Sequence, residues 1–182
     1  MLSMIHNQLP IKMSDEFLIR YIKNDDKEDL FQIYSNEKIA KYVTRKTHTS
    51  IKDTDEFIEV INQRIKEGNN LYLGICEIHS EKLVGVIRFL KKEDPSTLTI
   101  GYALNEDYWG RGLISIAMNK LIELLKLDGN YSRLRATVKP ENINSQRCVE
   151  KLGFKLTEKF MKNEIIDNKE VKTERLLYFK NL

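Results

Sequence analysis

The 182-residue chain is poor in the residues that mark several protein classes. It has two cysteines, Cys76 and Cys148, too few for a disulfide scaffold and not at metal-ligand spacing. Its three histidines, His6, His48 and His79, are scattered, so no metal site is expected. No apolar run approaches the roughly 20 residues that a membrane-spanning helix needs. The start, MLSMIHNQLPIKMSDEF, lacks the basic residues and unbroken apolar stretch of a signal peptide. Net charge is only +3, and Lys and Arg alternate with Asp and Glu in stretches such as KNDDKED. That pattern reads as solvated surface, and no basic stripe suggests nucleic acid. These absences leave a reduced, cytoplasmic enzyme or binding domain with no membrane, nucleic-acid or metal partner.

What is present is enough for one packed domain spanning 1–182: 41% hydrophobic and 31% charged residues. The run FLIRYIK (17–23) reads as a strand. Helices are expected after Asn24 or Asp25 and over 50–68, the latter capped by Ser50 and stopped by Gly68. Strands follow at 71–78, 82–90 and 96–104, then a helix from Leu113 to a stop at Gly129. A strand at 132–138, a short helix between Asn142 and Gly153, and two strands around a polar turn complete the chain. The order is β-α-α-β-β-β-α-β-α-β-β, a mixed α/β (α+β) arrangement.

Chemistry concentrates in two stretches. In TIGYALNEDYWGRGLISIAM (99–118), a strand runs through a turn with two glycines into a helix. Gly110 and Gly112 let the backbone turn sharply, and the first N–H groups of the helix, at its positive end, suit a phosphate. Arg111 stands between the glycines and offers a charge. The phosphate-loop pattern G-x-x-x-x-G-K-[ST] is absent, and Ser115 stands where a dinucleotide fingerprint needs its third glycine. In PENINSQRCVEKLGF (140–154), Asn142 and Ser145 share one face of a helix start, where capping is their usual role.

Together, GYxL, YWGRG and ENxxSxxxxEKLGF resemble the GNAT superfamily of acetyl-CoA-dependent N-acetyltransferases, and within it the RimJ/RimL branch, which acetylates N-terminal α-amino groups of ribosomal proteins. The resemblance covers nearly the whole chain in element order. It implies a single, mostly antiparallel sheet of about seven strands with four helices, splayed between 96–104 and 132–138 by a β-bulge near Leu104 and Asn105. It further implies that Trp109, Gly110, Arg111, Gly112, Leu113, Ile114 and Ser115 bind the coenzyme's pyrophosphate. The pantetheine arm would pair with the strand ending at Leu104 and Asn105, where a backbone N–H polarises the thioester carbonyl.

The family's frequent base, a Glu at the position of Thr99, and its frequent acid, a Tyr at that of Val149, are missing. The RimL pattern points instead to Ser145 as donor to the departing thiolate, with Asn142 holding the cofactor arm. Its base falls on Glu164, eleven residues after Gly153 and expected to have a raised pKa. Cys148 is expected to be a buried, inert thiol. The expected reaction is direct transfer from acetyl-CoA to a primary amine in a ternary complex, without a metal, the acceptor being a protein N-terminus. Polyamine, aminoglycoside and amino-acid acceptors remain open, with Asp25, Asp26, Glu28 and Asp29 as an acidic patch for a polycation. A non-catalytic acyl-CoA-binding module is the alternative of another class. C-terminal edge strands make a homodimer an expectation as well.

Overall fold

The computed structural model describes residues 2–43, 47–68, 70–91, 94–166 and 169–182. One eight-stranded sheet forms its spine: β1 (Ile11–Lys12), β2 (Phe17–Tyr21), β3 (Asn70–Glu77), β4 (Leu83–Lys91), β5 (Thr97–Leu104), β6 (Arg133–Val138), β7 (Lys155–Ile166) and β8 (Lys169–Asn181). The spatial order is β1-β2-β3-β4-β5-β6-β8-β7, with every neighbouring pair antiparallel except β5 and β6. β7 lies at the free edge expected of the C-terminal strands. The polar turn between β7 and β8, 167–168, lies outside the described residues.

Among the described residues, six helices cover the two faces: α1 (Ser3–Gln8), α2 (Lys27–Tyr34), α3 (Glu37–Ala40), α4 (Ile51–Lys66), α5 (Leu113–Asp128) and α6 (Ile143–Lys151). The apolar stripe of α5 (Leu113, Ala117, Leu121 and Leu125) packs with Ile5 of α1 and Val149 of α6 against one face, meeting Ile87, Phe89, Leu98 and Ile100. On the other face, Leu30, Ile33, Ile58 and Ile61 of α2 and α4 meet Tyr72, Cys76, Val86 and Ala103. Because strand side chains alternate, neighbouring residues of β5 feed opposite cores. The expected acidic patch is partly committed to the fold: buried Asp26 accepts two hydrogen bonds from Arg20 (2.7 and 2.8 Å), and Asp29 accepts the Leu83 N–H at 2.8 Å.

Candidate active site

The site begins where β5 and β6 part. They pair only over Thr97–Thr99 and Arg133–Arg135. Beyond that point β5 stays with β4 as far as Leu104 opposite Gly85, while β6 stays with β8 as far as Val138 opposite Leu176. The two strands therefore fork toward their C-terminal ends. The expected bulge is not the cause, because the β4–β5 register runs unshifted from Lys91–Leu98 to Gly85–Leu104. Each strand simply follows its antiparallel partner.

In an antiparallel ladder, hydrogen-bonded pairs alternate with pairs whose N–H and C=O groups point outward. Asn105 N–H donates to the Val84 carbonyl at 2.8 Å, so Asn105 is committed to β4. The main-chain groups of Leu104 and Tyr102 thus turn toward the fork. The Leu104 carbonyl accepts the Trp109 indole N–H at 2.8 Å, which leaves the Leu104 N–H as the donor there.

After β5, a 3₁₀ turn (Glu106–Tyr108), capped by the Asn105 side chain, carries the chain into the glycine loop. Tyr108 is buried and donates to Glu77 at 2.8 Å, so with Trp109 it seats the loop. Gly110 and Gly112 have φ of +77° and +71°, left-handed conformations that side chains disfavour. A Cβ at either would meet nothing within 4 Å, so the loop surface stands open to a ligand. The first helical hydrogen bond runs from Ile116 N–H to the Gly112 carbonyl, which leaves the N–H groups of Leu113, Ile114 and Ser115 without helical acceptors. The side chains of Leu113 and Ile114 are buried in the core, so both offer the loop main-chain donors only. The Arg111 guanidinium lies 4.9 Å from the Tyr108 ring centroid. These features fit an acetyl-CoA pyrophosphate, with its arm entering the fork.

α6 faces the fork from the α5 side. Asn142 caps it by accepting the Ser145 N–H at 3.1 Å. The Ser145 hydroxyl lies 2.8 Å from the phenol of Tyr102, which reaches across from β5. Burial pushes the Tyr102 phenol above the ordinary tyrosine range; Cys148 adds to this and the Ser145 hydrogen bond opposes it. Tyr102 therefore stays protonated. Cys148 is half-buried, less enclosed than expected, with its sulfur 3.6 Å from the Ser115 hydroxyl. Ser115, Cys148, Ser145 and Tyr102 thus tie α5, α6 and β5 together across the fork. Tyr102 is the residue of this cluster that sequence reasoning missed.

Glu164 departs from its expected state. It stands on β7 with 8% of its surface exposed, hydrogen-bonded to Arg175, itself 3% exposed, and to Thr173 at 2.8 Å. Lys162 lies 2.8 Å from its second oxygen. Burial pushes the carboxyl upward, but Arg175, Lys162 and Thr173 outweigh it and hold the pKa at about 2. A carboxylate so stabilised is a poor proton acceptor, so the expected raised pKa is corrected: Glu164 sits in a buried ion pair. Among the described residues, no three His, Cys, Asp or Glu side chains cluster as a metal site, and no helix is long and apolar enough to cross a membrane.

Comparison with known proteins agrees with this geometry. The chain is 27% identical over 142 residues to an uncharacterized N-acetyltransferase, p20, of Bacillus licheniformis, covering 78% of this chain and 80% of that one. It is 22% identical over 147 residues to the [ribosomal protein uS5]-alanine N-acetyltransferase of Escherichia coli (strain K12), covering 78% and 76%. The structure of the microcin C7 self-immunity acetyltransferase MccE in complex with acetyl-CoA and AMP superposes with a TM-score of 0.82 at 27% identity, over 94% of this chain and 96% of that one. The profile of the acetyltransferase (GNAT) domain matches residues 16–155, well over half of the chain, which therefore belongs to the GNAT family and is an acetyl-CoA-dependent N-acetyltransferase.

Proposed function

We propose that the chain acetylates the N-terminal α-amino group of a protein, with ribosomal proteins as the first class of acceptor to test. The observation that carries this reading is that neither position at which the family resemblance offers a base supplies a ready one among the described residues. Thr99 stands on β5 where many relatives place Glu, and Glu164 is held by Arg175 with a pKa of about 2. Without a protein base, the acceptor loses its proton to water. An α-amine, with a pKa near 8, does so readily at neutral pH, whereas a lysine or polyamine amine near 10.4 does not. The relative that acetylates an alanine of ribosomal protein uS5 supports the same class.

Acetyl-CoA supplies the acyl group. The N–H groups of Leu113, Ile114 and Ser115, with the open backbone of Gly110 and Gly112, would hold its pyrophosphate, and Trp109 and Arg111 frame that loop. The Leu104 and Tyr102 N–H groups would pair with the arm and polarise the thioester carbonyl. With Tyr102 as the donor in its 2.8 Å hydrogen bond with Ser145, the serine's own proton would be turned toward the sulfur. As the amine nitrogen bonds to the acyl carbon and the C–S bond breaks, Ser145 stabilises the departing thiolate. Asn142 fixes Ser145 through its cap and keeps its amide N–H groups for the cofactor arm.

Incubation with acetyl-CoA and a panel of N-terminal peptides from ribosomal proteins, spermidine, aminoglycosides and free amino acids, read by mass spectrometry, tests the reading. Acetylated peptides are expected. Acetylation of spermidine or aminoglycosides alone would overturn it.

A further inference from the structure

The glycine loop and the fork serve the pyrophosphate and the arm of acetyl-CoA. The coenzyme carries one more phosphate, on the 3′-oxygen of its ribose, tethered to the pyrophosphate by that sugar alone. Its partner must therefore stand close to the first turn of α5, where the N–H groups of Leu113, Ile114 and Ser115 lack helical acceptors. α6 meets α5 at that turn, since the Ser115 hydroxyl lies 3.6 Å from the Cys148 sulfur. Side chains three or four apart share a helix face, so Asn144 and Lys151 flank Cys148, and Arg147 aligns with both of them. Val149 and Leu152 are buried and Ser145 turns to Tyr102, which makes the other side of α6 the packed one. Asn144, Arg147 and Lys151 therefore run as an exposed stripe along the outer edge of the α5–α6 contact.

The charges on this stripe are uncompensated. Among the described residues, neither Arg147 nor Lys151 makes an ion pair, a side-chain hydrogen bond or a ring contact. The neighbouring carboxylate of Glu150 accepts the Tyr178 hydroxyl at 3.2 Å and so is turned to β8. Arg111, the cation of the loop itself, is engaged: its guanidinium lies 4.9 Å from the Tyr108 ring centroid and donates to the Asp107 carbonyl at 3.3 Å. Like charges four apart on a helix repel, and a phosphate between them replaces that repulsion with charge-assisted hydrogen bonds. Both side chains are exposed, so open solvent leaves room for such a group beside them.

We propose that Arg147 and Lys151 receive the 3′-phosphate of the coenzyme, with Asn144 as a neutral donor on the same stripe, so that α6 distinguishes CoA from 3′-dephospho-CoA. The proposal rests on the placement of the pyrophosphate at the first turn of α5 given above. It is independent of which amine accepts the acetyl group.

Calorimetry at low ionic strength, with CoA and 3′-dephospho-CoA as the two probes and no acceptor present, tests it. The parent is expected to bind CoA about tenfold more tightly or better. The double variant Arg147→Gln, Lys151→Gln should bring that ratio close to one by weakening CoA alone, with 3′-dephospho-CoA bound as by the parent. Because the stripe is exposed, added salt should narrow the parent's ratio as well. Equal affinities in the parent, or a tenfold ratio that survives the double substitution, would overturn the proposal. A loss that falls equally on both probes would give the two cations to the pyrophosphate and overturn it too. Gly112→Ala checks the placement underneath and should weaken both probes alike. Unchanged affinity for both in that variant would remove the placement and the proposal with it. A weakening of both, combined with a parent ratio of one, would leave the loop in place and sink the 3′-phosphate site alone.

Discussion

Replacing Glu164 by Gln removes one charge and leaves the Arg175 guanidinium buried without its partner. The carboxyl falls from an ordinary 4.5 to about 2 in the folded protein. That difference corresponds to about 3 kcal/mol of stability, in the range for breaking a buried ion pair. The folded pKa is depressed, so this contribution is fully present above pH 4.5 and is lost as the pH falls toward 2. Glu164→Gln should therefore lower the stability measured by urea unfolding at pH 7 by about 3 kcal/mol, and Tm by about 6–12 °C. The gap between parent and variant should close on acidification below pH 4.5. At 25 °C, where the variant stays folded, kcat should remain within about threefold of the parent, whereas loss of a general base costs about 10²–10⁴. An unchanged Tm with a hundredfold fall in kcat would refute the ion-pair account and restore Glu164 as the base.

Tyr102→Phe and Ser145→Ala should each lower kcat by about 10-fold or more while acetyl-CoA affinity changes little. Because Tyr102 acts through Ser145, the double variant should be no slower than Ser145→Ala alone, and additive losses would show that the two act separately. Gly112→Ala adds a Cβ that touches nothing, so its effect is confined to the left-handed backbone. The strain of about 1–2 kcal/mol should weaken acetyl-CoA binding by about 5- to 30-fold in calorimetry, and unchanged affinity would show that the loop conformation is dispensable.

Much of this site was legible in the sequence because its signals are local. Gly110, Gly112 and Gly129 fall where the backbone turns left-handed, and the stripe on α5 packs as its spacing predicts. The fork between 96–104 and 132–138 was legible through family resemblance, but its supposed cause was not. A register is set by both strands of a ladder, and β5 follows β4 without a shift. α1 and α3, with six and four residues, and the two-residue β1 are too short to show periodicity. The expected raised pKa of Glu164 failed for a related reason. Counting from Gly153 locates the residue, but nothing near it in sequence reveals that Arg175 crosses the hairpin to hold it. Tyr102 was overlooked because a tyrosine in a strand ordinarily packs, and its polar role needs α6 on the far side of the fork.

The measurement that tests the central claim most directly is a single acetylation reaction at pH 7 on a peptide with both a free α-amine and an internal lysine. Tandem mass spectrometry then locates the acetyl group. Transfer without a protein base predicts acetylation of the α-amine, at a rate that rises with pH up to about 8 and then levels. Acetyl groups on the lysine at a comparable rate would contradict it, because a neutral lysine at that pH needs a base that Glu164, bound to Arg175, does not supply.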